Sequence, residues 1–196
     1  NLTLGIKRYL SISELKGLMF LNLAVSAGGS MILVNTIILV RSSLELSEIA
    51  FSITMLIFGA GCIFAAIIIP YLSKEMTASR IMLAGSNLLS VVFVALAFWL
   101  ILFDFIWFVL LLAWFISGFG YTLLLTPMGR VIRKVSSVDE FSQVYSAQFS
   151  LSHLCWLFMY PLSGYLMTTS GASFTLLTLA LLMVCSNIIA AWHFRS

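Results

Sequence analysis

The amino-acid sequence predicts an all-α polytopic membrane protein with six transmembrane helices. Of the 196 residues, 62% are hydrophobic and only 9% are charged, with a mean hydropathy of +1.13, whereas soluble domains carry about 25% charged residues. The charged residues separate five uncharged stretches: 17–40, 49–73, 81–103, 105–129 and 141–194. Because a helix needs about 20 apolar residues to cross a bilayer, the first four stretches hold one helix each and the fifth holds two.

A polar segment, residues 168–173, divides the long fifth stretch. It is the one polar, glycine-containing cluster there, which favours a turn between two helices. The predicted spans are residues 18–40, 49–71, 81–103, 105–128, 145–167 and 174–192. Such short loops leave no room for a soluble domain, so residues 1–196 form a single six-helix transmembrane domain and any function lies in or between its helices.

The basic residues indicate the orientation of the chain. Nine of the ten Lys and Arg residues fall in the loops and termini of one side, and only Arg41 falls on the other. By the positive-inside rule, both termini and the two longer loops are expected in the cytoplasm. The net charge of +3 is therefore explained by the orientation of the chain in the membrane. The lipid bilayer is the expected partner, and no nucleic acid is expected to bind.

The first span concentrates small and amide side chains. Asn22, Ser26, Gly28, Gly29 and Asn35 lie within it. A helix that faces only lipid does not need these residues, and small side chains let helix backbones approach closely. This face either packs against a neighbouring helix or lines a cavity.

The fourth span and the loop after it have two further features. Gly118 and Gly120 lie at mid-depth, where glycine loosens a helix. In the loop, Arg130 and Arg133 share one face of a helical extension that can meet anionic headgroups, although orientation alone also accounts for them. Ser137, followed three residues later by a glutamate, resembles a capping box that begins the next helix.

The fifth span has the richest chemistry. It carries Gln148, His153, Trp156, Tyr160 and Pro161. An ionisable residue inside a membrane is a functional-site hypothesis by default, because even a neutral imidazole must find a partner there. The alternative is that His153 is a hydrogen-bonded packing residue. The sixth span is plain and is expected to support the others.

Catalytic and metal-binding patterns are absent from the sequence. Cys62, Cys155 and Cys185 lie inside predicted spans without metal-site spacing and are read as free thiols. No protease, hydrolase or ATPase motif occurs, so we expect no enzyme, no cofactor and no metal site. The span interiors hold no carboxylate or basic side chain, which leaves His153 as the one candidate in this chain for proton coupling.

Several segments resemble the C-terminal half of a major facilitator superfamily transporter. The resemblance rests on six spans with both termini inside, on the glycines of spans one and four, and on residues 160–165, Tyr-Pro-Leu-Ser-Gly-Tyr. Segments 28–36 and 152–161 look like those of a bacterial branch of exporters that includes nickel-resistance-type efflux proteins. The family's loop motif is degenerate here: Lys74 and a following glutamate replace its Asp-Arg pair, and Arg80 stands near its end.

The resemblance implies one half of a carrier that works by alternating access. Each half of such a carrier is an inverted pair of three-helix repeats, and substrate binds between the halves at the midplane of the membrane. The second half would be a missing N-terminal half or a second copy of this chain. Two sets of residues are then expected along the pathway: flexing positions at Gly28, Gly29, Gly118, Gly120 and Pro161, and lining positions at Asn22, Ser26, Asn35, Gln148, His153, Trp156 and Tyr160.

The leading hypothesis is secondary active transport of a small solute or cation, with export across a bacterial inner membrane. The alternative is a non-transporting membrane subunit or assembly component. An intramembrane enzyme lacks any catalytic constellation. Aromatic residues would suit lipophilic solutes, whereas His and Asn would suit a metal complex, and the composition leaves both substrate classes open.

Overall fold

Seven α-helices and one π-helical turn form the described part of the chain. The computed structural model describes residues 2–195, without the side chains of residues 2 and 3. The helices are α1 (Leu2–Ser11), α2 (Ser13–Ile37), α3 (Glu48–Glu75), α4 (Ala78–Leu102), α5 (Trp107–Leu125), α6 (Met128–Val135) and α7 (Val138–His193). The π-helical turn Ile38–Ser43 extends α2. Residues 2–195 contain no strand, and the all-α fold class is confirmed.

The last helix, α7, consists of two arms joined by a reversal at Gly171. A straight helix of its length would extend ~84 Å, far beyond the thickness of a bilayer. Gly171 has φ 80° and ψ 176°, a conformation that residues with a Cβ atom rarely adopt. We name residues 138–170 α7a and residues 172–193 α7b. The reversal lies inside the polar segment 168–173.

Contacts with α2 show that the two arms run in opposite directions. Going along α2 from beginning to end, the contacting residues of α7a rise in number, so α7a runs parallel to α2. The contacting residues of α7b fall in number, so α7b runs antiparallel to α2. From the beginning of α2 to its end, the contacts are Gly17 with Ala190, Asn22 with Gln148, Gly28 with Met183, and Asn35 with Ser163. The chain therefore crosses the bundle six times.

The six crossing helices form two inverted repeats, α2–α3–α4 and α5–α7a–α7b. Exchanging the two repeats turns the contact between α2 and α7a, made by Asn22 and Asn35, into the contact between α5 and α3, made by Gly118 and Gly61. The same exchange swaps α4 with α7b, so the contact between these two helices is unchanged by it. In this contact, Asn187 of α7b donates a hydrogen bond to the side chain of Asn87 of α4. This pattern is the one expected of an inverted three-helix repeat.

The α3–α5 pair packs backbone against backbone at two glycines. A Cβ atom on Gly61 would overlap the carbonyl oxygen of Phe115, and one on Gly118 would overlap the carbonyl oxygen of Phe58. Such a close approach maximises dispersion between helices, which matters in lipid because no hydrophobic force drives helices together there. The two repeats are therefore clamped together along α3 and α5.

Burial places α2 at the centre of the bundle and α3 at its edge. In the most apolar window of the span containing α2, 72% of residues are buried, compared with 22% for α3. The exposed side of α3 carries large apolar side chains, including Leu56, Ile63 and Ile67. Among the described residues, five helices are long and apolar enough to cross a membrane, and the last of these is the double-length α7. An apolar face of this kind needs lipid or protein against it.

One end of the bundle gathers α1, α6 and the two ends of the described chain, and we call it the basic end. There α1 docks on α7a through an ion pair between Arg8 Nε and Glu140 Oε1, 3.2 Å apart. The Ser13 hydroxyl donates to the carbonyl oxygen of His193 at 3.0 Å, which joins the start of α2 to the end of α7b. Arg130 of α6 donates a hydrogen bond to the last turn of α3.

The beginning of α7 has the cap that its sequence predicts. The Ser137 hydroxyl oxygen accepts a hydrogen bond from the backbone N–H of Glu140 at 3.4 Å. It also donates to Glu140 Oε2 at 3.2 Å. The same carboxylate thereby serves the cap and the ion pair with α1, so the position of α1 is tied to the first turn of α7.

Replacing Gly61 with Ala should separate α3 from α5, because neither backbone can yield to the added methyl group. We expect a loss of about 1–3 kcal/mol in stability, the usual cost of overpacking. Thermal unfolding of the purified full chain in detergent measures it. Gly59→Ala is the matched control, since a Cβ there meets nothing within 4 Å. Equal melting temperatures for the two variants would contradict the proposed clamp.

Candidate functional site

Three buried polar side chains meet near the basic end and connect α1, α2 and α7a. The Gln148 amide donates from Nε2 to Asn22 Oδ1 at 2.9 Å. Its oxygen Oε1 accepts a hydrogen bond from the Tyr9 hydroxyl. The same Nε2 lies 2.8 Å from Met128 Sδ at the start of α6. Gln148 thus joins four helices, and each of its polar atoms has a partner.

Burial shapes the chemistry of this cluster. The Tyr9 side chain is fully buried, and burial is the main cause that raises its pKa above the ordinary value of about 10.0. Tyr9 therefore stays protonated and acts as a hydrogen-bond donor. Asn22 Nδ2 is buried without a hydrogen-bond partner among the described residues. An unpaired amide donor of this kind is costly, so it is available for a polar ligand.

A cavity of about 330 Å³ lies beside the cluster, and Gln148 forms part of its wall. Pockets for small molecules usually measure about 300–1,000 Å³. The wall is formed by the end of α5, the start of α6 and the first turns of α7a, and it consists of Leu125, Thr126, Met128, Gly129, Tyr145, Gln148, Phe149 and Ser152. The cavity has room for a small solute at this level of the bundle.

A second interhelical amide contact lies towards the other end of α2. Asn35 Nδ2 donates to the Ser163 hydroxyl at 2.8 Å and to the Ser163 carbonyl oxygen at 3.2 Å. Asn35 Oδ1 is buried and has no partner in the described part of the chain. Ser26, between the two amides, is also buried and bonds the carbonyl oxygen of Leu23 in its own helix. These three side chains lie between helices, inside this six-helix unit.

His153 lies on an exposed face of α7a, away from the buried amides. Its Nδ1 is 2.8 Å from the carbonyl oxygen of Phe149, which can only accept, so Nδ1 carries the proton. The two rings are also in contact, with centroids 4.0 Å apart. The polar partner of this intramembrane histidine is therefore its own helix.

Two pairs of aromatic side chains lie in the middle of the helices, one on α7a and one across α3 and α5. Trp156 and Tyr160 of α7a have ring centroids 5.0 Å apart. The ring centroids of Tyr121 of α5 and Phe58 of α3 are 5.9 Å apart. All four side chains are partly exposed. The second pair joins the two repeats.

The glycines predicted as flexing positions are close-packing positions in this conformation. Gly29 lies against the indole ring of Trp156, and Gly28 lies against Met183 and Leu89. On α5, Gly118 approaches α3, while Gly120 approaches Gly85 of α4; both α2 and α5 continue as α-helix through these positions. Pro161 likewise lies inside an unbroken stretch of α7a. A flexing role for these five residues stays a prediction.

The basic loop residues make weak contacts at the basic end. Lys74 Nζ lies 5.7 Å from the ring centroid of Tyr71, and Arg133 lies 5.8 Å from that of Phe141. The backbone N–H of Arg80 donates to the cap of α4. Within residues 2–195, no ion pair holds Lys74 or Arg80, and the one ion pair found is that of α1 with α7a. Among the described residues, the altered loop motif therefore contributes no ion pair.

Sequence reasoning missed Tyr9, Tyr121 and Phe58. Tyr9 lies on α1, a short helix that carries no transmembrane signal. The signal that could have found it is the spacing of Gly5 and Tyr9, which places both on one helix face; Gly5 packs against the backbone of α7a. The two rings of α3 and α5 have no such signal, since isolated aromatic residues are common on lipid-facing helices.

The polar and aromatic side chains described above are suited to binding a ligand rather than to covalent catalysis. The side chains are amides, phenols, an indole and an imidazole, which hydrogen-bond and stack. In the described part of the chain, no three His, Cys, Asp or Glu side chains come together as metal ligands. An all-helical membrane unit with internal two-fold repeats and a polar and aromatic seam defines a class of protein, the membrane carriers built from inverted repeats.

The chain belongs to the Major Facilitator Superfamily, whose family model matches residues 18–196. Members of this family are transporters rather than enzymes, so the predicted membrane transport function is confirmed at that level. The match covers all six crossing helices, apart from the first turn of α2, and leaves α1 outside. No curated protein matches the chain significantly, and no solved structure does.

Replacing Tyr9 with Phe should leave Gln148 Oε1 buried without a donor and lower stability by about 1–3 kcal/mol. The effect should depend on pH. Because the folded pKa of Tyr9 is raised, its contribution is fully present below about pH 10 and is lost as the pH rises further. Thermal unfolding from pH 7 to 11 measures both, with Tyr71→Phe, an exposed tyrosine, as control. A Tyr9→Phe melt identical to wild type would contradict the assigned hydrogen bond.

Proposed function

We propose that this chain is one six-helix half of a secondary active transporter that exports a small solute or cation by alternating access. Family membership supports transport, and the inverted repeat supports the mechanism. One observation supports the proposal most strongly. When the two repeats are exchanged, the contact between α2 and α7a becomes the contact between α5 and α3. A unit built in this way can rock as one body against a second such unit.

The packing favours rigid-body motion of the unit. The glycine contacts of α3 with α5 allow almost no sliding, because the backbones touch. The amide contacts of α2 with α7a also join the two repeats. Meanwhile α3 leaves a large apolar face uncovered. A missing N-terminal half or a second copy of the chain is the partner that we propose for this unit.

The orientation follows from the charges. The basic end carries α6, with Arg130 and Arg133 in its eight residues, and the last turn of α3 carries Lys74. By the positive-inside rule we propose that this end lies in the cytoplasm. A bacterial inner membrane is the location that we propose from the resemblance to bacterial exporters. Export is the direction that the resemblance to bacterial efflux proteins favours. In this orientation the cavity beside Gln148 lies near the cytoplasmic mouth of the pathway.

The predicted pathway residues fall into two groups with different roles. The buried group, Asn22, Ser26, Asn35 and Gln148, lies between helices of the two repeats. We propose that its unpaired atoms, Asn22 Nδ2 and Asn35 Oδ1, gain partners when the helices rearrange or substrate enters. We propose that the exposed or half-exposed group, His153, Trp156 and Tyr160, contacts substrate directly, although Trp156 also packs against Gly29 of α2.

Coupling to protons is proposed for His153. It is the titratable imidazole of α7a, and its Nε2 is free to exchange a proton because Nδ1 is bonded to Phe149. In this chain the span interiors contain no carboxylate. A proton-coupled carrier needs a titratable group in its pathway, so the group is either His153 or a residue of the partner unit.

Replacing Asn22 or His153 with Ala should lower solute flux about tenfold, the factor that corresponds to losing one hydrogen bond of about 1.4 kcal/mol. Proteoliposomes that contain the full native protein provide the measurement, with an imposed pH gradient. Thr168→Ala is the control, since this exposed threonine lies at the other end of α7a and bonds only its own helix. Unchanged flux in both variants would remove the two residues from the pathway.

A further inference from the structure

We propose that a cavity at the basic end binds the phosphodiester group of an anionic phospholipid. The cavity measures about 290 Å³ and lies between the first turn of α2, the beginning of α4 and α6. Its wall includes Glu14, Thr77, Ala78, Ser79, Arg130 and Lys134. This site lies apart from the residues proposed for the pathway, so the inference goes beyond the transport function and does not depend on which solute is carried.

Two cationic side chains of α6 line the cavity without a carboxylate partner. Arg130 and Lys134 are four residues apart and therefore lie on the same face of α6. Both are exposed, and neither takes part in an ion pair within residues 2–195. In the same part of the chain, the Arg130 guanidinium donates only to the Ser73 hydroxyl, which leaves its other N–H groups available. Two cations beside one cavity attract an anion into it.

The beginning of α4 adds backbone donors to the wall. The Thr77 hydroxyl accepts a hydrogen bond from the N–H of Arg80 at 3.4 Å, and the Thr77 carbonyl oxygen accepts one from the N–H of Ile81 at 3.1 Å. The N–H groups of Ala78 and Ser79 have no acceptor among the described residues. The first turn of α4 also carries no acidic side chain. Such free N–H groups, together with the helix dipole, favour an anion.

The carboxylate of Glu14 limits the charge of the ligand. It lines the same cavity as Arg130 and Lys134, but no ion pair joins it to either of them. Two cations and one carboxylate leave a net charge of +1, which a single negative charge balances. A phosphodiester carries one negative charge, whereas a phosphate monoester carries nearly two at pH 7 because its second pKa is about 6. The site therefore favours a diester over a monoester or free phosphate.

The position of the cavity indicates a lipid as the source of the diester. The short helix α6 is amphipathic: its apolar residues Val131 and Ile132 are buried, whereas Arg130, Arg133 and Lys134 are exposed. A basic amphipathic helix of this kind lies at the level of the lipid headgroups. Basic pockets between membrane-spanning helices at the cytoplasmic side are typical sites for anionic headgroups.

Binding of phosphatidylglycerol to the full native protein, purified in an uncharged detergent, tests the inference. Native mass spectrometry counts the bound lipid as its concentration is raised. Lys134→Gln should weaken binding about tenfold, the factor for losing one hydrogen bond to a charged group. Arg133→Gln is the matched control, because it removes the same charge from the neighbouring position of α6. Arg133 lies outside this cavity, 5.8 Å from the ring centroid of Phe141, so its replacement should leave the affinity unchanged.

A second variant removes a backbone donor instead of a charge. Ala78→Pro deletes the N–H at the first position of α4, where proline fits a helix. Thr77, the residue before it, is already extended, with φ −69° and ψ 153°, as a following proline requires. We expect this variant also to weaken phosphatidylglycerol binding about tenfold. Melting temperatures show that each variant is folded.

The ligand's charge is tested at Glu14. Glu14→Gln should strengthen phosphatidylglycerol binding, because it removes a repelling carboxylate. Weaker binding, with equal affinity for the zwitterionic phosphatidylcholine, would instead show that Glu14 holds an ammonium group, and it would overturn the assignment to an anionic lipid.

Three other results would also overturn the inference. Equal losses in Lys134→Gln and Arg133→Gln would mean a general effect of charge rather than a site. Displacement of the lipid by an equal concentration of inorganic phosphate would make free phosphate the ligand. The third such result is wild-type protein that binds no phosphatidylglycerol.

Discussion

The structure depends on one constraint: within lipid, helices gain nothing from hiding apolar surface from one another. They must be held by close backbone approach and by polar contacts. The reciprocal contact of Gly61 and Gly118 with opposing carbonyl oxygens meets this constraint for α3 and α5. Gly85 and Gly120 extend the same packing to α4. Removing the first pair would release the edge helix from the bundle.

The two equivalent helix pairs of the inverted repeat, α3–α5 and α2–α7a, meet this constraint in different ways. The α3–α5 pair is closed by glycine at Gly61 and Gly118, and aromatic side chains such as Phe58 and Tyr121 meet beside that contact. The α2–α7a pair is held apart by the indole of Trp156 and is bridged by the amides of Asn22 and Asn35. Bridging amides therefore occur along one of the two symmetry-related seams, whereas aromatic side chains occur along both. An approximately symmetric fold thus acquires an asymmetric distribution of buried amides.

Much of the architecture could be predicted from the sequence. The spacing of charges determines the number of crossings, because a bilayer excludes charged side chains over about 30 Å. The polar segment around Gly171 marks the reversal of α7, and Ser137 marks its beginning. Trp156 and Tyr160 stand out because they share a helix face. The pairing of helices has no local signal, so the sequence could not show that Gly29 and Gly118 are contact positions in this conformation.

Other parts of the site needed the structure for the same reason. Tyr9 acquires its role only when α1 docks beside α7a, which depends on a contact between residues far apart in the chain. Tyr121 and Phe58 resemble ordinary lipid-facing aromatics until α3 and α5 bring their two rings into contact. In each case the informative quantity is a distance between helices, and one sequence does not contain it.

The central claim is that these six helices are half of a twelve-helix transport unit. Native mass spectrometry of the protein extracted from its own membrane tests this most directly. The account predicts a protein mass of about twice 21.7 kDa, either as one longer polypeptide or as two copies of this chain. A single particle of 21.7 kDa, with no larger species, would contradict it.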